Sequence, residues 1–277
     1  MTDIKNIGFI GVGNMASAII GGITAVGNYP WSNINLFDVA QDKTADFAKK
    51  GANVFSDIEN LYNASDCIVL SVKPQNFPEI LRDISEAQKA NPKHTLYVTI
   101  AAGISTESIC ETLGNVPIVR ALPNTPMLIG KGVSAICKNS LVTDSEFEFV
   151  SSAFENAGKV IVIDECEMNR IICVTSSSPA YVFMFIKAIC DGAEKQGLML
   201  DSDSIKKAVC GVLVGAAEML ANSELSAEEL ISMVCSKGGT TERAVAELER
   251  LGFSEAINSA MLKCTERAYE LGNAKSK

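Results

Sequence analysis

The segment IGFIGVGNMASAII, residues 7–20, constrains the fold more than any other part of the chain. A short apolar run is followed by the pattern G-x-G-x-x-A and then by an apolar stretch of helical character. Gly11 permits a tight turn, Gly13 lets another group approach the backbone, and Ala16 allows close packing between helix and strand. The segment therefore predicts a strand, residues 7–10, that turns sharply into a helix.

The first half of the chain alternates apolar strands with helices. Besides residues 7–10, strands are predicted at residues 34–38, 67–74, 95–103, 117–124, 132–139 and 159–164. Helical stretches such as residues 41–50 and 106–113 lie between several of them. Near-continuous apolar strands that alternate with helices indicate a parallel sheet covered on both faces. The pattern predicts an α/β Rossmann nucleotide-binding domain at residues 1–164.

The glycine turn lies in the context that a dinucleotide site requires. It follows the first strand and opens a helix, whose N-terminus offers free N–H groups and a positive dipole end to a pyrophosphate. Asp38 ends the second predicted strand, where a carboxylate accepts bonds from a ribose 2′-hydroxyl and repels a 2′-phosphate. Lys43 could reach the same place. These residues favour NAD(H), and the alternative is that Asp38 is a solvent-exposed turn residue.

The second half of the chain is predicted to be helical. Strand patterns disappear from about Glu165, which predicts an all-α domain at residues 165–277. Residues 168–197 form one long helix or two joined at a kink near Pro179, which lacks an N–H group. A capping box of Ser226 and Glu229 starts a further helix. Other helices are predicted at residues 204–221, 241–251 and 254–271.

One of these helices has almost no polar side. Residues 208–220 read AVCGVLVGAAEML. A helix that is apolar all round must be buried, and a domain of about 110 residues has few fully internal positions. We therefore expect a homodimer in which the helical domain forms the interface.

Composition excludes several classes of protein. The chain has 277 residues, is 47% hydrophobic and carries a formal net charge of −9, so we expect a globular protein that binds neither nucleic acid nor anionic membranes. The apolar residues 7–26 and 171–186 are interrupted by polar residues and predict neither a signal peptide nor a membrane span. The nine cysteines include no C-x-x-C pair. Buried free thiols, which suggest a reducing cytoplasm, are predicted at Cys67, Cys173, Cys190 and Cys210.

The only histidine, His94, lies in a loop just before a predicted strand, and we expect it at the surface. A Ser–His–Asp triad and a histidine-based metal site are therefore excluded, and no metal is predicted. Oxidation of an alcohol needs a group that takes a proton. A protonated C=N bond is already electrophilic and needs only a hydride and orientation, so the residues favour reduction of such a bond.

The segment CSKGGTTERAV, residues 235–245, begins a helix with residues that disfavour helices. Its glycines are expected to leave several N–H groups uncovered, which suits a carboxylate at the positive end of the helix dipole. The hydroxyls of Thr240 and Thr241 can contact an acceptor or a ring nitrogen. The alternative is structural, with one of the two threonines capping its own helix.

Several segments together resemble the pyrroline-5-carboxylate reductase family, and the resemblance covers essentially the whole chain. The segments are IGFIGVGNMASAII (7–20), SVKPQ (71–75), IAAGIS (100–105), RALPNTP (120–126), SSSPAYVFMFIKA (176–188) and MVCSKGGTTERAV (233–245). The resemblance implies a Rossmann domain followed by a helical dimerisation domain, in dimers that commonly assemble into decamers. It also implies reduction of (S)-1-pyrroline-5-carboxylate to L-proline by NADPH or NADH, the last step of proline biosynthesis.

The resemblance also assigns site residues. It implies that Thr241 is catalytic and contacts the ring nitrogen of the substrate. It places the substrate carboxylate on backbone groups and hydroxyls of Ser236, Gly238, Gly239 and Thr240. It places the cofactor along Ile10, Gly11, Val12, Gly13, Asn14, Met15, Asp38, Ser71, Val72, Lys73, Pro74, Ile100, Ala101 and Ala102.

The chain departs from the family pattern at three positions. Lys237 replaces the usual proline of the substrate loop, which is expected to loosen the free loop. Ser176 replaces a usual glycine and adds a hydroxyl near the helix kink. Asp38 stands where many NADPH-using members carry small hydroxylated residues, so it favours NADH or use of both cofactors.

Two other functions are compatible with a two-domain plan of this kind. β-Hydroxyacid dehydrogenases rely on a lysine of the inter-domain helix, but here that helix offers only Lys187, far along it. A nucleotide-sensing regulatory protein that has lost turnover is the non-enzyme alternative. The intact G-G-T-T loop argues against it.

Overall fold

The computed structural model describes residues 4–25 and 29–273. The strands are β1 (Ile7–Ile10), β2 (Ile34–Phe37), β3 (Asn53–Val54), β4 (Cys67–Leu70), β5 (Leu96–Thr99), β6 (Ile118–Leu122), β7 (Gly132–Lys138) and β8 (Gly158–Val162). The helices of the first half are α1 (Asn14–Ala25), α2 (Asp42–Lys49), α3 (Ile58–Ala64), α4 (Phe77–Ala90), α5 (Thr106–Leu113) and α6 (Asp144–Glu155). Those of the second half are α7 (Met168–Ile171), α8 (Ser178–Lys195), α9 (Ser202–Ala221), α10 (Ala227–Val234), α11 (Thr240–Arg250) and α12 (Phe253–Asn273). Short 3₁₀ helices lie at Trp31–Asn33, Pro74–Asn76, Thr125–Ile129 and Glu165–Glu167.

The strands form one sheet in the order β3-β2-β1-β4-β5-β6-β7-β8. Every neighbouring pair is parallel except β6 and β7, so β7 and β8 run opposite to the other strands and the prediction of a parallel sheet is wrong for these two. Only residues 123–131 separate these two strands, and a parallel return needs a crossover of a dozen residues or more. The sequence patterns also missed β3, because its two residues are both exposed and too few to form an apolar run.

Helices cover both faces of the sheet, as the apolar strands predicted. Successive side chains of a strand point to opposite faces. Phe9 of β1 therefore packs in a core with residues of α1 and α6, such as Ile19 and Phe154. Ile10 packs in the core on the opposite face, where Leu61 of α3 and Ile84 of α4 lie, with α5.

The chain divides into two compact units, Met1–Pro179 with Lys263–Lys277, and Ala180–Leu262. The first unit therefore extends past the end of the strand patterns near residue 164 and includes the second half of α12. Ala268 of α12 is buried there in a cluster with Leu122 and Met168. This long-range packing has no signature in the periodicity of the sequence.

The segment at residues 168–197 consists of two helices, α7 and α8, which is the second of the two predicted arrangements. Pro179 lies in the first turn of α8, where its missing N–H group costs nothing. The hydroxyl of Ser178 donates to the carbonyl of Val174, 2.5 Å away, and so satisfies one carbonyl at the break. The predicted capping box of Ser226 and Glu229 is confirmed at the start of α10.

The helices of the second unit expose large apolar side chains. Met184 of α8 and Val212 of α9 are each 71% exposed, and in α9 only Ile205 is buried among the described residues. Cys67 and Cys173 are buried as predicted, but the prediction is wrong for Cys190 and Cys210, which are half-buried. These two cysteines lie on α8 and α9, whose apolar surface a single chain does not cover. Among the described residues, no helix has both the length and the apolar character needed to cross a membrane.

Candidate active site

The glycine turn between β1 and α1 is held from the end of β4. Gly11 has φ +90°, and a Cβ there would lie 2.9 Å from the carbonyl oxygen of Ser71. The hydroxyl of Ser71 donates to the carbonyls of Gly11 and Ile10, over 2.5 and 3.1 Å. A side chain at position 11 would thus strain the backbone and separate the two strands.

The other two positions of the motif have the environments that their residue types require. A Cβ on Gly13 would meet no atom of the chain within 4 Å, so this side of the turn is open. Ala16 is 1% exposed and is buried in the same core as Phe9. Asn14 and Met15 begin α1, and first-turn N–H groups have no acceptor within a helix. Open space beside free N–H groups fits a pyrophosphate.

Asp38 is bound to the glycine turn itself. Its Oδ2 accepts from the N–H of Val12 at 2.7 Å and its Oδ1 from the N–H of Ala40 at 2.9 Å. Lys43 Nζ lies 3.4 Å from Oδ1, and the aspartate side chain is only 6% exposed. Burial disfavours the charged carboxylate, but these donors outweigh burial and hold the pKa of Asp38 below its ordinary value. The alternative of a solvent-exposed turn residue is therefore wrong.

The remaining predicted cofactor residues follow strands β4 and β5. Residues 71–74 come directly after β4, and residues 100–102 come directly after β5. Since β1, β4 and β5 are parallel neighbours, their carboxyl ends lie at one edge of the sheet. The chain order reverses between β1 and β4, and open α/β sheets bind ligands at such a switch point.

An ion pair between the buried Arg120 and the half-buried Glu165, which the sequence patterns missed, holds the RALPNTP segment. Arg120 of β6 donates to Asn169 over 2.6 Å and lies 3.6 Å from a carboxylate oxygen of Glu165. Glu165 also accepts from the N–H of Thr106 at 2.7 Å. Burial lowers the pKa of Arg120, although Glu165 opposes that shift. Arg120 is 45 positions from Glu165 and 49 from Asn169, and Thr106 is 59 positions from Glu165, so no local pattern reveals the network.

In the second unit, the segment CSKGGTTERAV forms a loop and the start of α11. Gly239 is the N-cap of α11 and has no side chain with which to cap it, so the alternative that Thr240 or Thr241 caps the helix is wrong. Gly238 has φ +73°, and a Cβ on Gly239 would lie 2.5 Å from the hydroxyl oxygen of Ser236. Both glycines are therefore required by the shape of this loop.

The N–H groups of these glycines are not uncovered, which corrects the expectation from the sequence. The N–H of Gly239 donates to the carbonyl of Ser236 at 2.9 Å. The N–H of Gly238 donates to a carboxylate oxygen of Glu242 at 2.6 Å. The N–H groups of Thr240 and Thr241 lie in the first turn of α11, where they have no acceptor within the helix.

Of the other residues named from the sequence, His94, Lys187 and Lys237 are exposed, and the hydroxyl of Ser176 is buried. The side chain of His94 is 67% exposed and its Nε2 lies 2.6 Å from Glu146, which confirms a surface position. Lys187 is exposed and pairs with Asp191. The hydroxyl of Ser176 is buried and has no hydrogen-bond partner in the described part of the chain. Lys237 is exposed in the loop that precedes α11.

Comparisons with known proteins agree along the whole chain. The family model for pyrroline-5-carboxylate reductase dimerisation matches residues 165–271, and the model for NADP oxidoreductase coenzyme F420-dependent proteins matches residues 6–103. The pyrroline-5-carboxylate reductase of Escherichia coli (strain K12) is 37% identical over 272 residues, which covers 98% of this chain and 99% of that protein.

The chain belongs to the pyrroline-5-carboxylate reductase family. The enzyme of this name from Pseudomonas aeruginosa is 35% identical and covers 96% of both chains. The crystal structure of Plasmodium falciparum pyrroline carboxylate reductase with NADP bound has a TM-score of 0.88 and 27% identity, covering 98% of this chain and 99% of that one.

As a pyrroline-5-carboxylate reductase, the protein is an NAD(P)H-dependent oxidoreductase of the last step of proline biosynthesis. Its Rossmann domain is followed by the helical dimerisation domain of the family, and the chain forms a homo-oligomer. Membership in the family also decides against the β-hydroxyacid dehydrogenases and against a regulatory protein without turnover.

Proposed function

We propose that this reductase binds the carboxylate of (S)-1-pyrroline-5-carboxylate at the N-terminal turn of α11, on residues 236–240. The observation that supports this proposal is the loop geometry. Two glycines, one with φ +73° and one that admits no Cβ, bring backbone N–H groups to the positive end of the α11 dipole. A helix start built in this way suits a small carboxylate better than a side-chain cap does.

Thr241 is the proposed catalytic residue. Its hydroxyl lies on the first turn of α11, directly after the proposed carboxylate site, and it would bind the nitrogen of the pyrroline ring. In the reduction, the carbon of the C=N bond gains a hydride and the nitrogen retains the proton of the iminium. The hydroxyl orients that iminium, or relays a proton through water to the nitrogen, so catalysis consists mainly of positioning.

The cofactor is proposed to lie on the glycine turn and along residues 71–74 and 100–102. When bound, NAD(P)H supplies the hydride. The first-turn N–H groups of α1 and the open space beside Gly13 fit its pyrophosphate. Asp38 adds a fixed negative charge next to that turn, and we propose that it favours NADH over NADPH or permits both.

The homo-oligomer is proposed to be a dimer through the helical domain, with dimers assembling further, as in a decamer. The apolar residues that α8 and α9 expose support an interface on these helices. A cytoplasmic location is also proposed. All nine cysteines lie in the described part of the chain, and all are free thiols.

Substitution Thr241→Ala tests the proposed site. We expect kcat to fall by one to a few orders of magnitude while the protein stays folded, since single positioning contacts have effects of this size. Thr241→Ser keeps the hydroxyl and should restore most of the rate. Wild-type kcat in Thr241→Ala would exclude the assignment.

A further inference from the structure

Glu242 presents a carboxylate to the amide group at which the carboxylate of the substrate is proposed to bind. Its Oε2 accepts from the N–H of Gly238 at 2.6 Å. Glu242 is the third residue of α11. The N-cap residue Gly239 has no side chain that could accept from the N–H groups at the start of the helix, so these donors are left to other acceptors. The chain thus supplies its own anion to its substrate loop.

We propose that Glu242 sets the affinity for the substrate, because its carboxylate occupies the anion position and the substrate must displace it. The proposal rests on the proposed function, in which residues 236–240 bind the substrate carboxylate. Glu242 acts here as a competitor that belongs to the protein. It is not a catalytic residue.

Displacement is favoured over sharing at the two glycines because both of their N–H groups are already engaged. The N–H of Gly238 makes its short bond to Glu242, and the N–H of Gly239 is used by the carbonyl of Ser236. Two carboxylates that approach the same donor repel each other. Glu242 is exposed, so its carboxylate can swing out and be hydrated without leaving a buried charge behind.

The bond between Glu242 and Gly238 therefore lowers the fraction of molecules that can bind substrate. The apparent affinity of a ligand falls in proportion to the fraction of the protein in the competent state. If Glu242 is bonded to Gly238 in about nine molecules of every ten, KM is about tenfold higher than it would be without this bond. A neutral acceptor makes a bond roughly half as strong as a carboxylate does, so it would be displaced more easily.

Glu242→Gln isolates the charge, since the glutamine carbonyl can still accept from Gly238. We expect this variant to lower KM for pyrroline-5-carboxylate about 3- to 10-fold with kcat unchanged. Inhibition by cyclopentanecarboxylate, which has the ring and the carboxylate but no C=N bond, should strengthen by a similar factor. KM for 1-pyrroline, which has no carboxylate, should not change.

Glu249→Gln is the matched control, because it removes the same charge from an exposed position of the same helix. It should leave all three constants unchanged. If Glu249→Gln lowers KM as much as Glu242→Gln does, the effect is one of overall charge and the proposal fails.

Glu242→Ala distinguishes competition from a role in shaping the loop. Competition predicts a lower KM in this variant, whereas loss of a shaping contact predicts a higher one and overturns the proposal. An unchanged KM in Glu242→Gln also overturns it. If Thr241→Ala lowers kcat while both Glu242 variants keep the wild-type KM, only the inference about Glu242 fails. If Thr241→Ala has wild-type kcat, the proposed site itself fails.

Discussion

Asp38 shows how one side chain can have two roles at a nucleotide site. Its two carboxylate oxygens accept from Val12 and Ala40, and the first of these bonds joins the end of β2 to the glycine turn. The aspartate therefore shapes the turn before any cofactor binds. Its charge also remains next to that turn, where we expect it to repel a 2′-phosphate of the cofactor.

Asp38→Ser tests the second role. Removing the negative charge should raise kcat/KM for NADPH relative to NADH by about 10-fold or more, since repulsion of the 2′-phosphate is lost. Steady-state kinetics with both cofactors measure this ratio. Asp38→Asn keeps the side-chain oxygen for Val12 and controls for damage to the turn. The same cofactor ratio in all three proteins would show that the charge does not select the cofactor.

Lys237 is a second residue whose role can be tested in isolation. It is exposed in the proposed substrate loop. We expect Lys237→Pro to leave kcat nearly unchanged, because the proline acts mainly on the free loop by reducing its conformational freedom. A large loss of kcat would instead show that the ammonium group takes part in the reaction.

At the scale of elements, the start of α6 depends on a buried carboxylate. Glu146 accepts from the N–H of Thr143 at 2.8 Å in a capping box and lies 2.6 Å from His94. Burial raises the pKa of Glu146, but the bonds from His94 and Thr143 outweigh burial and hold the pKa below its ordinary value of 4.5. The carboxylate is therefore more stable in the folded chain than in the unfolded one.

A lowered folded pKa makes the contribution of Glu146 depend on pH. The contribution is complete above the unfolded pKa, near 4.5, and is lost as the pH falls through the lower folded value. We expect Glu146→Gln to reduce the free energy of unfolding by about 1–2 kcal/mol at pH 7 and by less below pH ~4. Denaturant unfolding at both pH values measures this difference. Equal losses at the two pH values would contradict it.

The packing of α12 on the first unit depends on Gly103. This glycine has φ +81°, and a Cβ there would lie 2.8 Å from Cβ of Leu271 and 3.0 Å from the carbonyl of Ala268. Gly103→Ala should lower the free energy of unfolding by about 1–3 kcal/mol through backbone strain and overpacking. Gly114→Ala, at φ +77° with no atom within 4 Å of the new Cβ, separates the strain from the overpacking. Thermal melting of both variants checks the prediction, and equal losses would exclude a packing role for Gly103.

At the scale of the whole molecule, we expect assembly to bury the apolar side chains that a single chain leaves exposed. Val212 in the middle of α9 is 71% exposed. A lysine there would have to be buried in the proposed dimer interface, so Val212→Lys should reduce the mass measured by light scattering toward that of one chain. Glu86→Lys, on exposed surface of α4, controls for added positive charge. An unchanged mass for Val212→Lys would place the interface elsewhere.

Much of this architecture could be predicted from local patterns, and the exceptions have clear physical reasons. The strand–turn–helix at residues 7–20 could be predicted because its apolar pattern and its glycine turn are local in sequence, although the atoms that crowd Gly11 belong to Ser71 and Val72. The direction of β7 depended on the length of residues 123–131, a signal that was present in the sequence but is not periodic. Periodicity could show neither that α12 returns to the first unit nor that the buried Arg120 pairs with Glu165, because both contacts join distant parts of the chain.

The sequence by itself determined the fold class, the glycine turn, the helical second half and the family. Each of these follows from the order of residue types, which decides local conformation and the pattern of burial. Only the tertiary structure decided that Asp38 binds the turn and that Glu242 covers the N–H of Gly238. A hydrogen bond depends on distances of tenths of an ångström, and the folded backbone alone sets them.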